Sequence, residues 1–376
     1  MKKVGTCLIL LLVLTGCWDQ MRLRDIHLVD IAGLDFDKKN GEFKLSFAVT
    51  QIKNAGQGGG EAVTETTELK ASSLIEAIGQ GEYKEQGPFL ASNTRLFLMS
   101  EAFASNNPIK SLGYLLHAPY TSINAPVVVY EGSVSEFLHT EVSQDDFSKK
   151  VNRLIASLET NGIISNVSMM HFILSKEDEL EDIALPVVRP SDSGLELGGA
   201  LLFRHGMSTG IKLSNEEIRL VMLMLGRNIG MQKITGRLQE DKGSAPSAGG
   251  SKGDEFAFSV KKVKSKTAVI PKSGSLPTAS IHVQLAVNVY QIDGEGHPFK
   301  KKYVQQVEKE FGQYLQSVAI TAIEKLQKAN CDLLDIGDRI RAFHPATWEA
   351  LDWRTDYPHL PVDLKMNVEI LNTEAE

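Results

Sequence analysis

The stretch Gly199-Ala200-Leu201-Leu202-Phe203-Arg204-His205-Gly206 places a short apolar run directly before a turn. Four consecutive apolar residues next to glycine predict a buried strand over Gly199 to Phe203, and His205-Gly206 predicts a turn. Ser214-Asn215-Glu216-Glu217 follows as a capping box, in which the serine oxygen and the glutamate carboxylate satisfy free helix amides. The helix that it opens has an apolar face made of Ile218, Val221, Met222 and Leu225.

The same mixture of strands and helices extends to both sides of this stretch. Strands are predicted over Ile26 to Phe36 and Phe43 to Ile52, and Asn40-Gly41 between them is a tight-turn signal. The longest amphipathic helix is predicted from Lys302 to Asn330, and a final strand from Val362 to Leu371. Because no regular strand-helix-strand rhythm appears, we expect a multidomain α+β fold with mixed antiparallel sheets and packed helices.

Domain organisation is suggested by length and by one irregular segment. A chain of 376 residues is long enough for two or three domains. The segment from Pro186 to Gly194, with two prolines and a glycine, is typical of a domain boundary. We therefore expect a leader over residues 1–16, an N-terminal α+β domain of one or two lobes over 17–195, and a C-terminal α+β domain over 196–376.

The N-terminal residues have the pattern of a lipoprotein leader. Lys2 and Lys3 precede the apolar run Val4 to Leu14, and Leu14-Thr15-Gly16-Cys17 follows. A helix of the length of that run rises only about 16 Å, roughly half of a bilayer's hydrocarbon thickness. We expect cleavage before Cys17, whose sulfur would carry diacylglycerol and whose amine would be acylated. The alternative is an uncleaved anchor with a chance cysteine.

Composition and motifs favour no enzymatic chemistry. The formal net charge of −7 argues against a nucleic-acid partner. Neither a G-x-S-x-G nucleophile elbow nor an H-E-x-x-H zinc motif occurs. Of the three cysteines, Cys331 alone remains once Cys7 and Cys17 are assigned to the leader and the lipid, so no internal disulfide is possible. We expect no catalytic, metal-binding or cofactor-binding residues.

A cluster of four lysines is the main charged feature of the sequence. Lys261, Lys262, Lys264 and Lys266 lie on a predicted strand. They could face anionic lipid headgroups, or they could protect an exposed strand edge from pairing with other chains. Both interpretations remain open at this level, and the second is the commoner use of lysine on a strand.

Several ordered patterns together resemble the Ger(x)C lipoprotein family, the C subunits of spore nutrient-germinant receptors. The first patterns are Gly16-Cys17-Trp18-Asp19 with Leu23 and Asp25, the run Ile31-Ala32-Gly33-Leu34-Asp35, and Ser100-Glu101-Ala102-Phe103-Ala104. Next is Gly199-Ala200-Leu201-Leu202-Phe203 with Gly210, Leu213 and Glu217. The C-terminal set is Asp332, Gly337, Arg341, Pro345, Trp348 and Trp353. Met21-Arg22 and Ile336-Gly337 depart from the usual family pattern.

The resemblance implies a non-catalytic subunit required for nutrient-triggered spore germination. It would be anchored by the lipid on Cys17 at the outer face of the cell or spore inner membrane. Its partners would be the integral membrane A- and B-type receptor subunits. The alternative function is a substrate-binding lipoprotein of a membrane transporter. An anchored hydrolase is a weaker third hypothesis, because no nucleophile lies beside a base.

Overall fold

Two β-sheets organise the chain in a computed structural model, and helices pack against their faces. The structure describes the residues in this list: 27–53, 61–84, 89–90, 94–117, 122–141, 147–192, 194–226, 232–237, 255–272, 274–292 and 301–373. Both sheets combine antiparallel and parallel neighbours. The α+β class expected from the sequence is confirmed.

Nine strands of the described residues form the larger sheet. They are β1 His27–Asp37, β2 Glu42–Lys53, β3 Glu61–Ala71, β4 Phe89–Leu90, β5 Leu96–Ser100, β6 Val127–Tyr130, β7 Ile183–Ser191, β8 Gly194–Arg204 and β9 Met207–Leu213. Their order is β3-β2-β1-β5-β6-β7-β8-β9, with β4 also paired to β1. The predicted turn at Asn40-Gly41 joins β1 to β2, and the Gly41 amide donates to the Asp37 carbonyl at 2.8 Å.

Seven helices of the described residues accompany the strands of the larger sheet or follow them directly. They are α1 Leu74–Lys84, α2 Glu101–Ala104, α3 Pro108–Leu112, α4 Val134–Glu141, α5 Phe147–Thr160, α6 Met169–Leu174 and α7 Asn215–Met224. A 3₁₀ turn, Gly113–Leu116, follows α3. The predicted capping box at the start of α7 is complete: Ser214 accepts from the Glu217 amide, and Glu217 accepts from the Ser214 amide.

The smaller sheet and its helices complete the described chain. Its strands are β10 Lys233–Arg237, β11 Glu255–Ile270, β12 Thr278–Ile292 and β13 Val362–Thr373, in that order across the sheet. The helices are α8 Lys301–Ala329, α9 Ile336–Phe343, α10 Pro345–Glu349 and α11 Trp353–Asp356, followed by a 3₁₀ turn, Tyr357–His359. The connection between the parallel pair β12 and β13 contains α8 to α11, and the 29-residue α8 covers one face of their sheet.

Strand β8 is apolar on both faces because it lies between two cores. Leu201 and Phe203 belong to the core on one face of the large sheet. Ala200 and Leu202, which alternate with them, belong to the core that includes α7, α8 and the smaller sheet. A strand buried on both faces has a continuous apolar run rather than an alternating one, and this explains Ala200 to Phe203.

The segment from Pro186 to Gly194, where the sequence suggests a domain boundary, contains strand residues of the large sheet. Pro186 to Ser191 lie in β7 and Gly194 begins β8, and the two strands pair as an antiparallel hairpin of the large sheet. The pairing of β7 with β6 is confined to Val187 and Val188, between the two prolines. Proline lacks an amide hydrogen, and this short ladder explains how a strand inside the sheet accommodates two of them. The division into domains at residue 195 stays a prediction.

Candidate functional site

The predicted lipidation residue, Cys17, lies outside the described residues. The described chain begins at His27, ten residues later. Ten extended residues span at most about 35 Å, and this distance limits how far a lipid on Cys17 could lie from the start of β1. Among the described residues no helix is long and apolar enough to cross a membrane. The same residues contain no group of acidic, histidine or cysteine side chains placed to hold a metal ion.

Two residues of the run Ile31-Ala32-Gly33-Leu34-Asp35 form the contact between β1 and α4. A Cβ on Gly33 would lie 2.7 Å from the Val134 side chain, so glycine allows α4 to pack directly on the strand. Two residues further on, the Asp35 carboxylate accepts from the Ser133 hydroxyl at 3.1 Å, at the start of α4. These two residues therefore fix the position of a helix on the sheet and do not line a reactive site.

The pattern that begins at Gly199 fixes α7 to the large sheet and to α8. Gly199 has a φ of +111°, and a Cβ there would lie 2.1 Å from the Leu213 carbonyl oxygen. Leu213 immediately precedes Ser214, the N-cap of α7. Glu217 in the first turn of α7 is buried and accepts from the Lys325 ammonium at 2.7 Å. The capping glutamate therefore also joins α7 to α8.

A partly buried ion pair joins the large sheet to the C-terminal helices. The side chain of Asp182, the residue before β7, is fully buried and forms a bidentate pair with Arg354 on α11. The nitrogen-oxygen distances are 2.8 Å and 3.2 Å. The same carboxylate accepts from the Asp332 amide at 2.7 Å. Arg354 also donates to the Asn330 carbonyl, so the pair holds the turn between α8 and α9.

Asp332 belongs to the same cluster of side chains as Asp182 and Arg354. It is buried and accepts from the Gly337 amide at 2.7 Å. Its second oxygen, Oδ1, has no hydrogen-bond partner among the described residues. Burial raises the pKa of Asp332 to about 7, and the nearby carboxylates of Asp335 and Asp182 add to the effect, while backbone hydrogen bonds oppose it. Asp332 is therefore an acid that changes charge near neutral pH. It lies in the contact between the large sheet and the C-terminal helices that is formed by Asp182, Arg354, Asp332 and Gly337, which we call the joint.

Cys331 and Tyr357 next to this cluster are poorly suited to catalysis. Both are buried, and burial raises the pKa of the Cys331 thiol and of the Tyr357 hydroxyl. The thiol donates to the Phe203 carbonyl at 3.5 Å, and the hydroxyl donates to the Cys331 carbonyl at 3.2 Å. A nucleophilic cysteine needs the thiolate form and access to substrate. These two hydrogen bonds can instead hold β8 and the C-terminal helices together.

Sequence reasoning identified half of this joint. Asp332, Gly337 and Arg341 belong to the resemblance, and the structure brings Asp332 and Gly337 into direct contact. Arg341 lies at the exposed margin, where it pairs with Asp178 at 3.2 Å. Asp182 and Arg354 were not predicted. They are 172 residues apart and neither belongs to a local motif, so no signal in a single sequence could have paired them.

Comparisons with known proteins agree with the fold and identify the family of the chain. Residues 19–190 match the family described as "Spore germination protein N-terminal domain". Residues 198–374 match the family described as "Spore germination B3/ GerAC like, C-terminal". Together the two matches define a spore germination protein. The chain belongs to the Ger(x)C family.

Individual relatives are distant but cover nearly the whole chain. The protein YfkR of Bacillus subtilis (strain 168) is 21% identical over 96% of this chain and 94% of its own length. Spore germination protein KC of the same organism is 21% identical over 97% and 94%. The crystal structure of the GerBC protein superposes with a TM-score of 0.59 at 17% identity, covering 91% of this chain and 97% of that one. At this identity the structural match supports the fold alone.

Proposed function

We propose that the protein is the non-catalytic C subunit of a spore nutrient-germinant receptor, held by lipid on Cys17 at the outer face of the cell or spore inner membrane. Its partners are the integral membrane A- and B-type subunits of that receptor. The observation that carries the proposal is the match to the two spore germination families over residues 19–190 and 198–374.

The mechanism is tethering. Each buried methylene of an acyl chain contributes about 0.8 kcal/mol to membrane affinity, and two chains give stable attachment. The ten residues from Cys17 to His27 then keep the folded body close to the bilayer. Confinement of this kind raises the effective concentration of the body for partners in the same membrane. The family's role in germination supplies the biological context for those contacts.

Non-catalytic function is supported by how the reactive side chains are used. The Cys331 thiol is buried, and the Asp332 carboxylate lies inside the joint between the sheet and the C-terminal helices. The transporter alternative gains no support, because that class has two similar lobes of repeated strand-helix units. Here a large mixed sheet stands beside a four-stranded one.

The test is lipidation-blocking Cys17→Ala in the spore-forming host. We expect the mature chain to leave the membrane fraction, after a wash in about 0.5 M salt that limits charge attraction to about 4 Å. We also expect the nutrient response to be impaired, since the tether is lost. Cys7→Ala is the matched control, because it removes a leader cysteine and leaves Cys17 in place.

Three results would contradict the proposal. The first is a normal nutrient response with the Cys17→Ala protein fully soluble. The second is a mature wild-type N-terminus that carries no fatty acid by mass spectrometry. The third comes from purification out of spore membranes in mild detergent: recovery of an ATP-driven permease, in place of two multispanning receptor subunits, would favour the transporter alternative.

A further inference from the structure

The β11-β12-β13 sheet presents a basic surface on the side away from α8. Beyond the register shift between Val260 and Lys262, odd-numbered residues of β11, such as Val263, face the core, whereas Lys262, Lys264 and Lys266 are exposed on the opposite face. Lys365 on β13 is exposed on that same outer face. We call these four residues, Lys262, Lys264, Lys266 and Lys365, the lysine face.

Strand register determines how the four ammonium groups are distributed. Lys266 pairs with His282 on β12, and His282 pairs with Lys365, so the three residues form one row across the sheet. Lys264 and Lys262 lie one and two rows away along β11. Alternate residues of a strand are about 7 Å apart and neighbouring strands about 5 Å apart. The lysine face therefore covers about 14 Å by 10 Å of the sheet.

The positive charge of the lysine face is not neutralised by ion pairs. Among the described residues, no carboxylate lies within ion-pair distance of any of its four lysines. Two carboxylates, Asp363 and Glu369, share the outer face on β13. Four lysines against two carboxylates leave a charge of +2, on a chain whose formal net charge is −7. The charge distribution is thus polarised toward this face.

An apolar side chain lies at one end of the same surface. Ile270, the last residue of β11, has the same orientation as Lys266 and is 52% exposed. An exposed apolar residue beside lysines is the combination found where proteins rest in the interface of a bilayer, because the apolar group enters the boundary and the ammonium groups remain among the headgroups.

We propose that the lysine face lies against the anionic headgroups of the membrane that carries the Cys17 anchor. This inference rests on the proposed function, since an anchored body has a bilayer within reach. Lysine, rather than arginine, supplies every positive charge of the face. Protein interfaces are enriched in arginine and depleted in lysine, whereas attraction to a charged membrane needs only point charges. The face would orient the tethered body on the bilayer.

The test uses the unacylated mature chain, residues 17–376 with Cys17→Ser, so that binding reports the lysine face alone. Partition is measured by sedimentation with vesicles of phosphatidylcholine, with and without phosphatidylglycerol. We expect binding to the anionic vesicles only, and we expect that binding to decrease steeply as the salt concentration increases. Lysine near an anionic surface contributes about fivefold, so Lys262→Gln, Lys264→Gln and Lys266→Gln together should weaken partition about a hundredfold.

The matched control is Lys302→Gln, Lys309→Gln and Lys328→Gln on α8. These three exposed lysines lie on the helix that covers the other side of the sheet, so the net charge changes equally. We expect partition of the control to fall by less than about threefold, because these charges lie farther than a Debye length from the bilayer. Replacing the lysines of β11 by arginine should keep partition near the wild-type value.

Several outcomes would overturn the inference. One is wild-type partition that is equal for neutral and anionic vesicles, and this result needs no variant. Another is an equal loss in the β11 and α8 variants, which would report net charge only. Unchanged partition with increased self-association of the β11 variant would assign the lysines to edge protection. Unchanged partition with loss of the receptor subunits in a detergent pull-down would assign them to a protein partner. In all these cases the test of Cys17 is unaffected.

Discussion

Arg354 and Asp182 are joined by two hydrogen bonds, at 2.8 Å and 3.2 Å, with the Asp182 carboxylate completely excluded from solvent. The pair connects the residue before β7 in the large sheet to α11, near the C-terminus. Burial of an ion pair is costly, and the attraction offsets that cost only while both partners are present. The connection between the two parts therefore depends on each of these side chains.

Replacement of Arg354 by methionine should destabilise the protein strongly. Asp182 would then be a buried carboxylate without its counter-ion, and such a loss costs about 3–5 kcal/mol. Arg341→Met is the matched control, because Arg341 pairs with Asp178 at the exposed margin of the same joint, where an ion pair contributes less than about 1 kcal/mol. Urea denaturation measures both free energies of unfolding. Equal losses in the two variants would show that Asp182 is not held as described.

Replacement of Asp332 by asparagine should change how stability depends on pH. The folded-state pKa of about 7 lies above the ordinary value of 3.8, so between these pH values the folded state binds a proton that the unfolded state has released. Stability from this group is therefore present at low pH and is lost as pH rises toward 7, by roughly 1 kcal/mol per pH unit. Above pH 7 the penalty is constant.

The measurement is the free energy of unfolding of wild type and Asp332→Asn across this pH range. Asparagine cannot ionise, and its carbonyl oxygen can still accept from the Gly337 amide. The difference between the two proteins should therefore shift in favour of the variant as pH increases from about 4 to 7. A difference that does not vary with pH would mean that Asp332 has an ordinary pKa.

Replacement of Gly199 by alanine should be much more damaging than replacement of Gly210. Both glycines have positive φ, but the new Cβ at residue 199 would overlap the Leu213 carbonyl, whereas at residue 210 it would meet nothing within 4 Å. We expect a loss of about 1–2 kcal/mol for Gly210→Ala, from backbone strain alone. For Gly199→Ala we expect about 3 kcal/mol or more. Thermal unfolding compares them, and similar losses would rule out the close approach.

Local signals in the sequence predicted the elements well where a physical cause lies within a few residues. The capping box at Ser214 and Glu217 is complete in the structure, because both hydrogen bonds form inside one helical turn. The helix predicted over Lys302 to Asn330 is observed at Lys301–Ala329. The turn at Asn40-Gly41 joins two strands as expected.

The remaining features depend on contacts that a single sequence does not encode locally. Strand β3, Glu61–Ala71, was not predicted, because it is rich in threonine and glutamate and is a strand through its pairing with β2. The prolines of β7 suggested a boundary, although that strand lies inside the sheet. The partnership of Asp182 and Arg354 is likewise visible only in three dimensions. The site predicted with most support, Cys17, lies outside the described residues and stays a prediction.

The two-sided burial of β8 has a mechanical consequence. Leu201 and Phe203 face one core, while Ala200 and Leu202 face the other. Neither core can therefore unfold without exposing one face of β8 to solvent. Heating should therefore give a single calorimetric peak for the described body, in place of two separate ones. A force applied to the C-terminal part of the chain should therefore be transmitted to the large sheet through β8, and no hinge between the two parts would absorb it.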